Sequence, residues 1–377
     1  MTDTISSKPP LIWQNVTLFF SLFVISVLVL PWYAHQYGFA LHHWLWLFIS
    51  FSFCNLSITA GYHRLWSHKS YQAHKALKVV FAIGGAFALQ NSALHWSSDH
   101  RIHHKHVDHD GKDPYSASRG FWFSHIGWML RNYSAKRYDD YSNCRDLQKD
   151  SVVMWQHRYY LPLVLITNLG IPLVLGVLYQ DIIGMLLVVG VFRLFLSHHS
   201  TFFINSLAHI WGSQPYTTKN SARDNGVLAI FTFGEGYHNF HHIFENDYRN
   251  GVRWWQYDPT KWLIKTCSWF GLTHKLRVVS DLRIELARAK TKLAETQKRL
   301  SVKPNASENK AKLTAEFERL TQTLNDYYHT KAQLLETKYD TMMKQYEHSL
   351  VKLKFAQTKQ ELKQRRRHWH LLTKQYA

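Results

Sequence analysis

The chain has 377 residues, with 45 Lys+Arg against 26 Asp+Glu and a formal net charge of +19 when histidine is counted as neutral. This length allows more than one domain. Three cysteines without a CxxC pair argue against a disulfide framework, an iron–sulfur cluster and a thiolate zinc site. Apolar and aromatic residues occur in blocks, which predicts a membrane part and a polar part. The positive charge therefore suits an anionic lipid surface, and we expect no binding of nucleic acid.

Two apolar blocks near the N-terminus, residues 11–30 and 39–60, have the length of helices that cross the hydrocarbon layer. The connection between them contains Trp32 and Tyr33, which are typical of the membrane interface, and no Lys or Arg. We therefore predict a transmembrane hairpin, preceded by a cytoplasmic tail at residues 1–10. The first block lacks a small-residue cleavage site and is expected to be a retained span.

Residues 161–179 and 182–204 form a second pair of apolar blocks, separated only by Gln180 and Asp181. The connection between the two hairpins, residues 61–159, is rich in Lys and Arg, and such loops stay in the cytoplasm. The sequence thus predicts an all-α integral membrane protein with four transmembrane helices, a cytoplasmic helical cap, and both termini in the cytoplasm. The expected location is a bacterial inner membrane.

Residues 76–94 are apolar but make a poor lipid-facing span, because they include Lys78, Gly84, Gly85 and Asn91. We expect a helix that lies in the membrane interface or is buried against the catalytic part.

Residues 281–377 hold 21 Lys+Arg against 11 Asp+Glu and are predicted as a basic coiled-coil or helical tail behind a membrane domain at 11–280. Apolar residues recur there in alternating steps of four and three, the heptad pattern, with a break near residues 304–309. We predict two helices in a hairpin or an oligomeric coiled coil, and a solvated helical tail is the alternative. The seam residues are Leu282, Leu286, Ala289, Leu293, Leu300, Leu313, Phe317, Leu320, Leu324, Tyr327, Leu335, Tyr339, Met342 and Tyr346.

Nine of the 25 histidines fall in three short boxes and one isolated position near the predicted cytoplasmic ends of the spans. Two of the boxes share the spacing HxxHH. The nine are His63 and His68 in box one, His100, His103 and His104 in box two, His238, His241 and His242 in box three, and His209.

The spacing within each box predicts how its rings are arranged. In box two, His103 and His104 both lie about one helical turn from His100, so the three rings can converge on one small volume. In box one, His63 and His68 are five residues apart and share no face of a regular α-helix, so the helix must end or loosen between them. Two copies of HxxHH suggest two metal ions, or one site closed from two sides.

The donor atoms narrow the choice of metal. Imidazole suits Zn, Cu, Fe and Ni, and a structural zinc takes four ligands, fewer than are available here. Eight or nine nitrogens favour a dinuclear site. A redox-active pair at the mouth of a membrane bundle suggests oxygen activation on an apolar substrate. His95 and His125 lie near the boxes and are candidates for groups that orient the ligands.

The boxes read HRLWSH, DHRIHHK and GEGYHNFHH, with ITAG at 58–61, FSHIGW at 123–128 and NSLAH at 205–209. Together with the two hairpins, these motifs resemble the membrane-bound fatty acyl desaturases of the stearoyl-CoA delta-9 type over residues 11–275. The resemblance implies an O2-dependent enzyme that introduces a cis double bond into a saturated acyl chain with two iron ions. It also implies that the nine histidines are the iron ligands and that Asn205 holds a water.

The same resemblance implies a bent apolar tunnel that runs into the bundle near Trp96 and Trp128. Phe51 and Asn55, one turn apart on the second span, are candidates for its closed end, and ordinary helix packing is the alternative for both.

For the substrate head group, Asn91 and Asp99 match polar contacts of the family. Ser98 departs from the pattern, because the animal acyl-CoA enzymes carry an arginine there, so acyl-CoA, acyl carrier protein and phospholipid chains all stay open. We expect electrons from a separate donor of the ferredoxin, rubredoxin or cytochrome b5 type with its reductase, and the basic cytoplasmic face favours an acidic carrier.

Two other functions compete with desaturation. A membrane hydroxylase of alkanes or lipids shares the chemistry up to hydrogen abstraction, but the ITAG and FSHIGW flanks argue against it. A membrane scaffold or metal transporter would have polar residues within its spans, whereas the histidine boxes lie at the span ends.

Overall fold

The structure is a computed structural model that describes residues 8–133, 141–302, 304–337 and 345–376. Within these residues, four helices are long and apolar enough to cross a membrane, in agreement with the four predicted blocks. They are span 1 (Trp13–Tyr37), span 2 (Leu41–Ser67), span 3 (Tyr160–Leu178) and span 4 (Ile182–His209).

Spans 2 and 4 continue beyond their apolar stretches. They have 27 and 28 residues, whereas about 20 residues cross the hydrocarbon layer. Their C-terminal turns therefore project from the membrane core, and these turns carry His63 and His209.

The end of span 2 is a π-helix from Ser57 to Ser67. Hydrogen bonds of a π-helix join residues five apart, and the amide of His68 donates to the carbonyl of His63 at 3.1 Å. The wider turn brings both histidines of box one to one face, with ring centroids 4.8 Å apart. The loosening that their spacing predicts is therefore present.

The segment predicted at 76–94 overlaps the helix Lys75–Phe87, which packs against span 2. Two glycines permit this close approach, because a Cβ atom at Gly84 would lie 2.0 Å from the hydroxyl of Ser57 and one at Gly85 would lie 2.2 Å from the ring of Tyr62. One face of the helix is buried, as in the second of the two predicted alternatives.

Box two lies on the helix Ala93–His106, whose first turn is capped by the hydroxyl of Ser92. Box three lies on the short helix His238–Ile243. The helix Pro259–Trp269 packs on the end of span 2 through a hydrogen bond of 2.7 Å between the hydroxyls of Thr59 and Thr260. The remaining helices of this part are Ala117–Arg119, Phe123–Gly127, Trp128–Leu130, Ser142–Cys144, Leu147–Lys149, Ser151–Arg158 and Gly226–Phe231.

A short antiparallel strand pair joins the two ends of the cap. Gln72–Ala73 pairs with Thr273–His274, with Gln72 opposite His274. This pair ties the segment that follows box one to the segment that follows the helix Pro259–Trp269.

Residues 279–377 and 215–219 form one compact unit, and residues 1–214 and 220–278 form the other. The described residues of the tail form three helices, Asp281–Leu300, Ala306–Thr337 and Gln345–Gln375, whereas the heptads predict two.

The second and third tail helices run antiparallel. Tyr376 bonds to Asn309 and Arg365 pairs with Glu316, so the C-terminus of one helix lies beside the N-terminus of the other. Part of the predicted seam is buried between helices of this one chain, namely Ala289, Leu300, Leu313, Leu320 and Leu324. Leu335 is exposed, Tyr339 and Met342 fall outside the described residues, and so does the side chain of Tyr346. The division of the chain into a membrane domain and a tail at residues 280/281 stays a prediction.

Candidate metal centre

All nine histidines singled out by the sequence lie in two groups, each with its candidate ligand atoms within 4.8 Å of one another. The five-histidine group consists of His63, His68, His100, His104 and His241, and the four-histidine group of His103, His209, His238 and His242. The two groups are neighbours, because the rings of His104 and His242 stack with centroids 4.3 Å apart.

The two HxxHH boxes divide their histidines between the groups. In box two, His100 and His104 belong to the five-histidine group and His103 to the other. Convergence of all three rings on one volume, as predicted, is therefore wrong. Adjacent residues of a helix point about 100° apart, so His103 and His104 cannot face the same centre.

Imidazole Nε2 atoms face one another within both groups. The Nε2 distances are 2.9 Å for His63–His241, 2.8 Å for His68–His100, 3.0 Å for His104–His241, 3.0 Å for His238–His242 and 3.1 Å for His209–His238. Two nitrogens at right angles around a metal, each about 2.1 Å from it, lie about 3 Å apart. The donor set thus fits a metal ion at the centre of each group.

The opposite nitrogen, Nδ1, contacts a polar partner in several of the five-histidine residues. The Nδ1 atom of His63 lies 2.8 Å from the carboxylate of Glu235, and that of His104 lies 3.1 Å from Glu245. The Nδ1 atom of His100 lies 3.2 Å from the hydroxyl of Tyr115. A proton on Nδ1 leaves the lone pair of Nε2 free for a metal, which is the arrangement of metal-binding histidines.

The four-histidine group has corresponding partners. The Nδ1 atom of His103 lies 2.9 Å from the buried carboxylate of Asp113. The Nδ1 atom of His209 lies 2.7 Å from the hydroxyl of Ser221, which in turn donates to Asp108 at 2.5 Å. Both groups therefore present Nε2 to their centres.

Behind box one lies a buried ionic network. Arg64, which is 1% exposed, pairs with Glu235 at 2.8 Å and with Asp258 at 3.0 Å. Burial alone would raise the carboxyl pKa of Glu235, but His63 and Arg64 lower it to about 2. Glu235 is therefore ionised at neutral pH and holds both the guanidinium and the imidazole.

Burial favours the neutral form of several of these histidines. Desolvation, together with repulsion from neighbouring imidazoles, lowers the pKa of His100, His238, His241 and His242 well below 6.5. The pKa of His104 is lowered to about 4. Neutral imidazole is the form that binds metals, so these side chains need not lose a proton at pH 7.

A cavity of about 310 Å³ lies beside the histidines and is lined by Asn91, Trp96, Asp99, Trp128 and Asn205 among other residues. The indole of Trp96 stacks on His100, with centroids 4.9 Å apart. Tyr115, also in the lining, stacks on His103 at 4.5 Å and contacts Trp128 at 5.1 Å. Aromatic walls therefore join the cavity to both groups. Asn91 turns the chain at its edge with a φ of +72°.

Phe51 and Asn55, the other two predicted substrate residues, are not among the residues that line this cavity. Phe51 packs on Phe233 with ring centroids 5.6 Å apart, and the amide of Asn55 donates to the carbonyl of Phe51 at 2.8 Å. Both contacts fit ordinary helix packing, which is the alternative given for these two residues. Ser98 donates to Asn143 at 2.9 Å.

His95 and His125 contact polar side chains that belong to neither histidine group. The Nδ1 atom of His95 lies 3.1 Å from the hydroxyl of Tyr141. The ring of His125 contacts Ser206 and His199, each at 2.9 Å.

The groups behind the histidines, Asp113, Tyr115, Glu235 and Glu245, were missed by the sequence reasoning. The only local signal was the position of Glu235 inside GEGYHNFHH. Another missed residue is Arg193, which is completely buried in span 4, where its guanidinium donates to Asn168 at 2.7 Å. The spans are therefore not free of polar residues, contrary to the expectation used against a transporter.

A family model for fatty acid desaturases matches residues 39–275, which contain every box histidine. A probable acyl-CoA desaturase of Schizosaccharomyces pombe is 47% identical over 238 residues, 63% of this chain and 49% of that protein. Acyl-CoA desaturase 1 of Saccharomyces cerevisiae is 44% identical over 279 residues, 73% of this chain and 53% of that protein. The sn-2 palmitoyl-lipid 9-desaturase of a Nostoc species is 38% identical over 276 residues, 72% of this chain and 92% of that protein.

The chain spans about half the length of the two yeast relatives. It carries the matched region, the membrane spans and two histidine groups able to bind metal. The chain belongs to the fatty acid desaturase family.

Proposed function

We propose that this protein is an O2-dependent fatty acyl desaturase that introduces a cis double bond, at the delta-9 position, into a saturated acyl chain carried as acyl-CoA. The observation that carries the proposal is the pair of adjacent histidine groups beside an aromatic-walled cavity. The names of the relatives support it, because two are acyl-CoA desaturases and one is a lipid 9-desaturase.

We assign one iron ion to each histidine group, with Asn205 acting through a water on the four-histidine side. When bound, the iron pair would supply activation of O2. Reduction of one O2 to two waters would take two hydrogen atoms, that is two electrons and two protons, from the acyl chain, together with two electrons from a carrier and two protons from solvent. Iron is favoured over a purely structural metal because nine imidazoles exceed the four ligands of a structural zinc.

The protein's own residues perform the positioning. Trp96 and Trp128 hold the chain against the two groups, which restricts the methylenes that come near them. Asn91 and Asp99 lie at the same cavity and are proposed to bind the polar head of the substrate. Aromatic walls also exclude water from the reacting carbons.

The topology follows from the charge distribution. We propose that the centre and both termini face the cytoplasm, where a separate acidic electron carrier reaches the basic surface. The 281–377 tail is proposed as a helical unit that is not needed for the chemistry.

The test is expression in a desaturase-deficient host, followed by fatty-acid profiling with double-bond location. Wild-type protein should restore monounsaturated chains, and His104→Ala should abolish them because it removes a ligand from the five-histidine group. The matched control is His109→Ala, since His109 is exposed and belongs to neither group.

The product distinguishes the proposal from its nearest rival. Hydroxylated chains would assign the protein as a hydroxylase, and unchanged chains in a host that supplies electrons would overturn both assignments. The acyl pool that changes first, acyl-CoA, acyl carrier protein or phospholipid, identifies the carrier.

A further inference from the structure

Glu245 lies in the turn that follows the box-three helix, two residues after its end at Ile243. The backbone on both sides is fixed. Phe244 before it is buried, and the amide of Tyr248 after it donates to the carbonyl of Arg277 at 3.0 Å. The carboxylate of Glu245 is therefore presented from a fixed turn.

This carboxylate meets two imidazoles from two different boxes. Its Oε2 atom lies 3.1 Å from Nδ1 of His104 in box two. The same atom lies 3.9 Å from Nδ1 of His68 in box one, beyond hydrogen-bond distance but close enough for an electrostatic contact. Glu245, which follows the box-three helix, thus contacts one histidine of box two and one of box one.

Glu245 differs from the other carboxylates behind the histidines. Its side chain is 46% exposed, whereas those of Glu235 and Asp113 are 2% and 0% exposed. Glu235 also pairs with Arg64, so part of its charge is neutralised. The charge of Glu245 faces only the five-histidine group and water among the contacts of the described residues.

We propose that Glu245 is a positioning residue for the five-histidine group, which orients His104 and His68 toward one ion and adds a negative charge behind them. The inference rests on the proposed two-iron centre. A carboxylate that accepts from Nδ1 fixes the ring and its tautomer and makes Nε2 a stronger ligand. The added charge stabilises the ferric state over the ferrous state, so Glu245 lowers the reduction potential of that ion.

The experiment compares wild-type protein with Glu245→Gln and Glu245→Ala, each as the full chain in detergent and loaded with Fe2+. A chromogenic chelator measures the number of ions per chain and their release rates, and a redox titration measures midpoint potentials. The matched control is Glu318→Gln, because Glu318 is an exposed carboxylate of the tail and lies in neither histidine group.

We expect Glu245→Ala to release one of the two ions about 10–100 times faster, as for other groups that orient metal ligands. The second ion, in the four-histidine group, should keep its rate. Glu245→Gln should be intermediate, because its amide oxygen still accepts from Nδ1 but carries no charge. The midpoint potential of the affected ion should rise in both variants and stay unchanged in Glu318→Gln.

Wild-type rates and potentials in both Glu245 variants would overturn the inference. If Glu245→Ala loses both ions and its thermal transition, the variant has failed to fold, and the test then depends on Glu245→Gln. Wild-type release rates and potentials in Glu245→Gln would overturn the inference in that case too. A wild-type protein that retains fewer than two ions would instead overturn the two-iron proposal itself.

Discussion

Arg101 is expected to hold box two against box one, and its removal tests how rigidly the boxes must be joined. Its guanidinium donates to both carboxylate oxygens of Asp146 at 2.7 and 2.9 Å. It also donates to the carbonyls of Trp66 at 2.7 Å, Ser67 at 3.1 Å and Asn143 at 2.8 Å. Arg101→Ala therefore leaves one carboxylate and three carbonyls without this donor.

The cost follows from what is left unpaired. Breaking a buried ion pair costs about 3–5 kcal/mol. Asp146 is 35% exposed, so water replaces part of the interaction, and we expect a loss of about 2–4 kcal/mol of unfolding free energy. Lysine keeps the charge but cannot span the carboxylate and the carbonyls from one nitrogen, so Arg101→Lys should cost about 1–2 kcal/mol.

The loss of unfolding free energy in the Arg101 variants depends on the pH of the measurement. Burial alone would raise the pKa of Asp146, but Arg101 and Lys69 hold it well below its ordinary value. The stabilisation is thus complete above the ordinary pKa of aspartate and is lost only as the pH falls below it. At pH 7 the full effect should be present.

The assay is thermal unfolding of the detergent-solubilised protein, followed by tryptophan fluorescence, together with iron per chain. The control is Arg145→Ala, which removes an exposed arginine from the same loop as Asp146. If Arg101→Ala unfolds at the same temperature as Arg145→Ala and retains as much iron, Arg101 does not stabilise the contact between box one and box two, and the prediction is wrong.

Two further predictions concern protons and the tail. When Fe2+ is added to metal-free protein at pH 6.5, six histidines with ordinary pKa values near 6.5 would release about three protons. We expect about none from these six, because burial lowers their pKa, and calorimetry in two buffers of different ionisation enthalpy measures the difference; the six are His68, His100, His104, His238, His241 and His242. Deleting residues 285–377 should leave iron and double-bond formation measurable, because both histidine groups lie before residue 279; loss of both in the truncated protein would contradict the predicted domain division.

Apolar length and local spacing predicted the elements that obey local rules. The four blocks were recognisable because about 20 consecutive apolar residues leave few alternatives to a spanning helix. The interval between His63 and His68 required a departure from the α-helix, and the π-helix of Ser57–Ser67 provides it. Neither inference depends on the rest of the fold.

Contacts between distant segments were beyond the sequence. Asp113 looks like an ordinary surface carboxylate in the sequence, and only the folded cap places it behind His103. Glu235 lies inside the GEGYHNFHH motif, but its contact with His63 in box one is likewise visible only in the fold. Arg193 is similar, because a charged residue in an apolar block is costly unless neighbouring spans satisfy it. Its guanidinium donates to the carbonyl of Phe87 at 2.6 Å as well as to Asn168, and it is fully buried. Such packing indicates a structural role, since a transport pathway needs contact with water.

The spacing of the two HxxHH boxes explains why the histidines of each box divide between the two groups. Positions i and i+4 of a helix share a face, whereas i+3 and i+4 point about 100° apart. Box two therefore gives His100 and His104 to one group and His103 to the other. Box three repeats the spacing with the reverse assignment, because His241 joins the five-histidine group and the pair that begins at His238 joins the other. Each helix contacts both groups, so the separation of the groups is set by two rigid backbones rather than by long, mobile side chains.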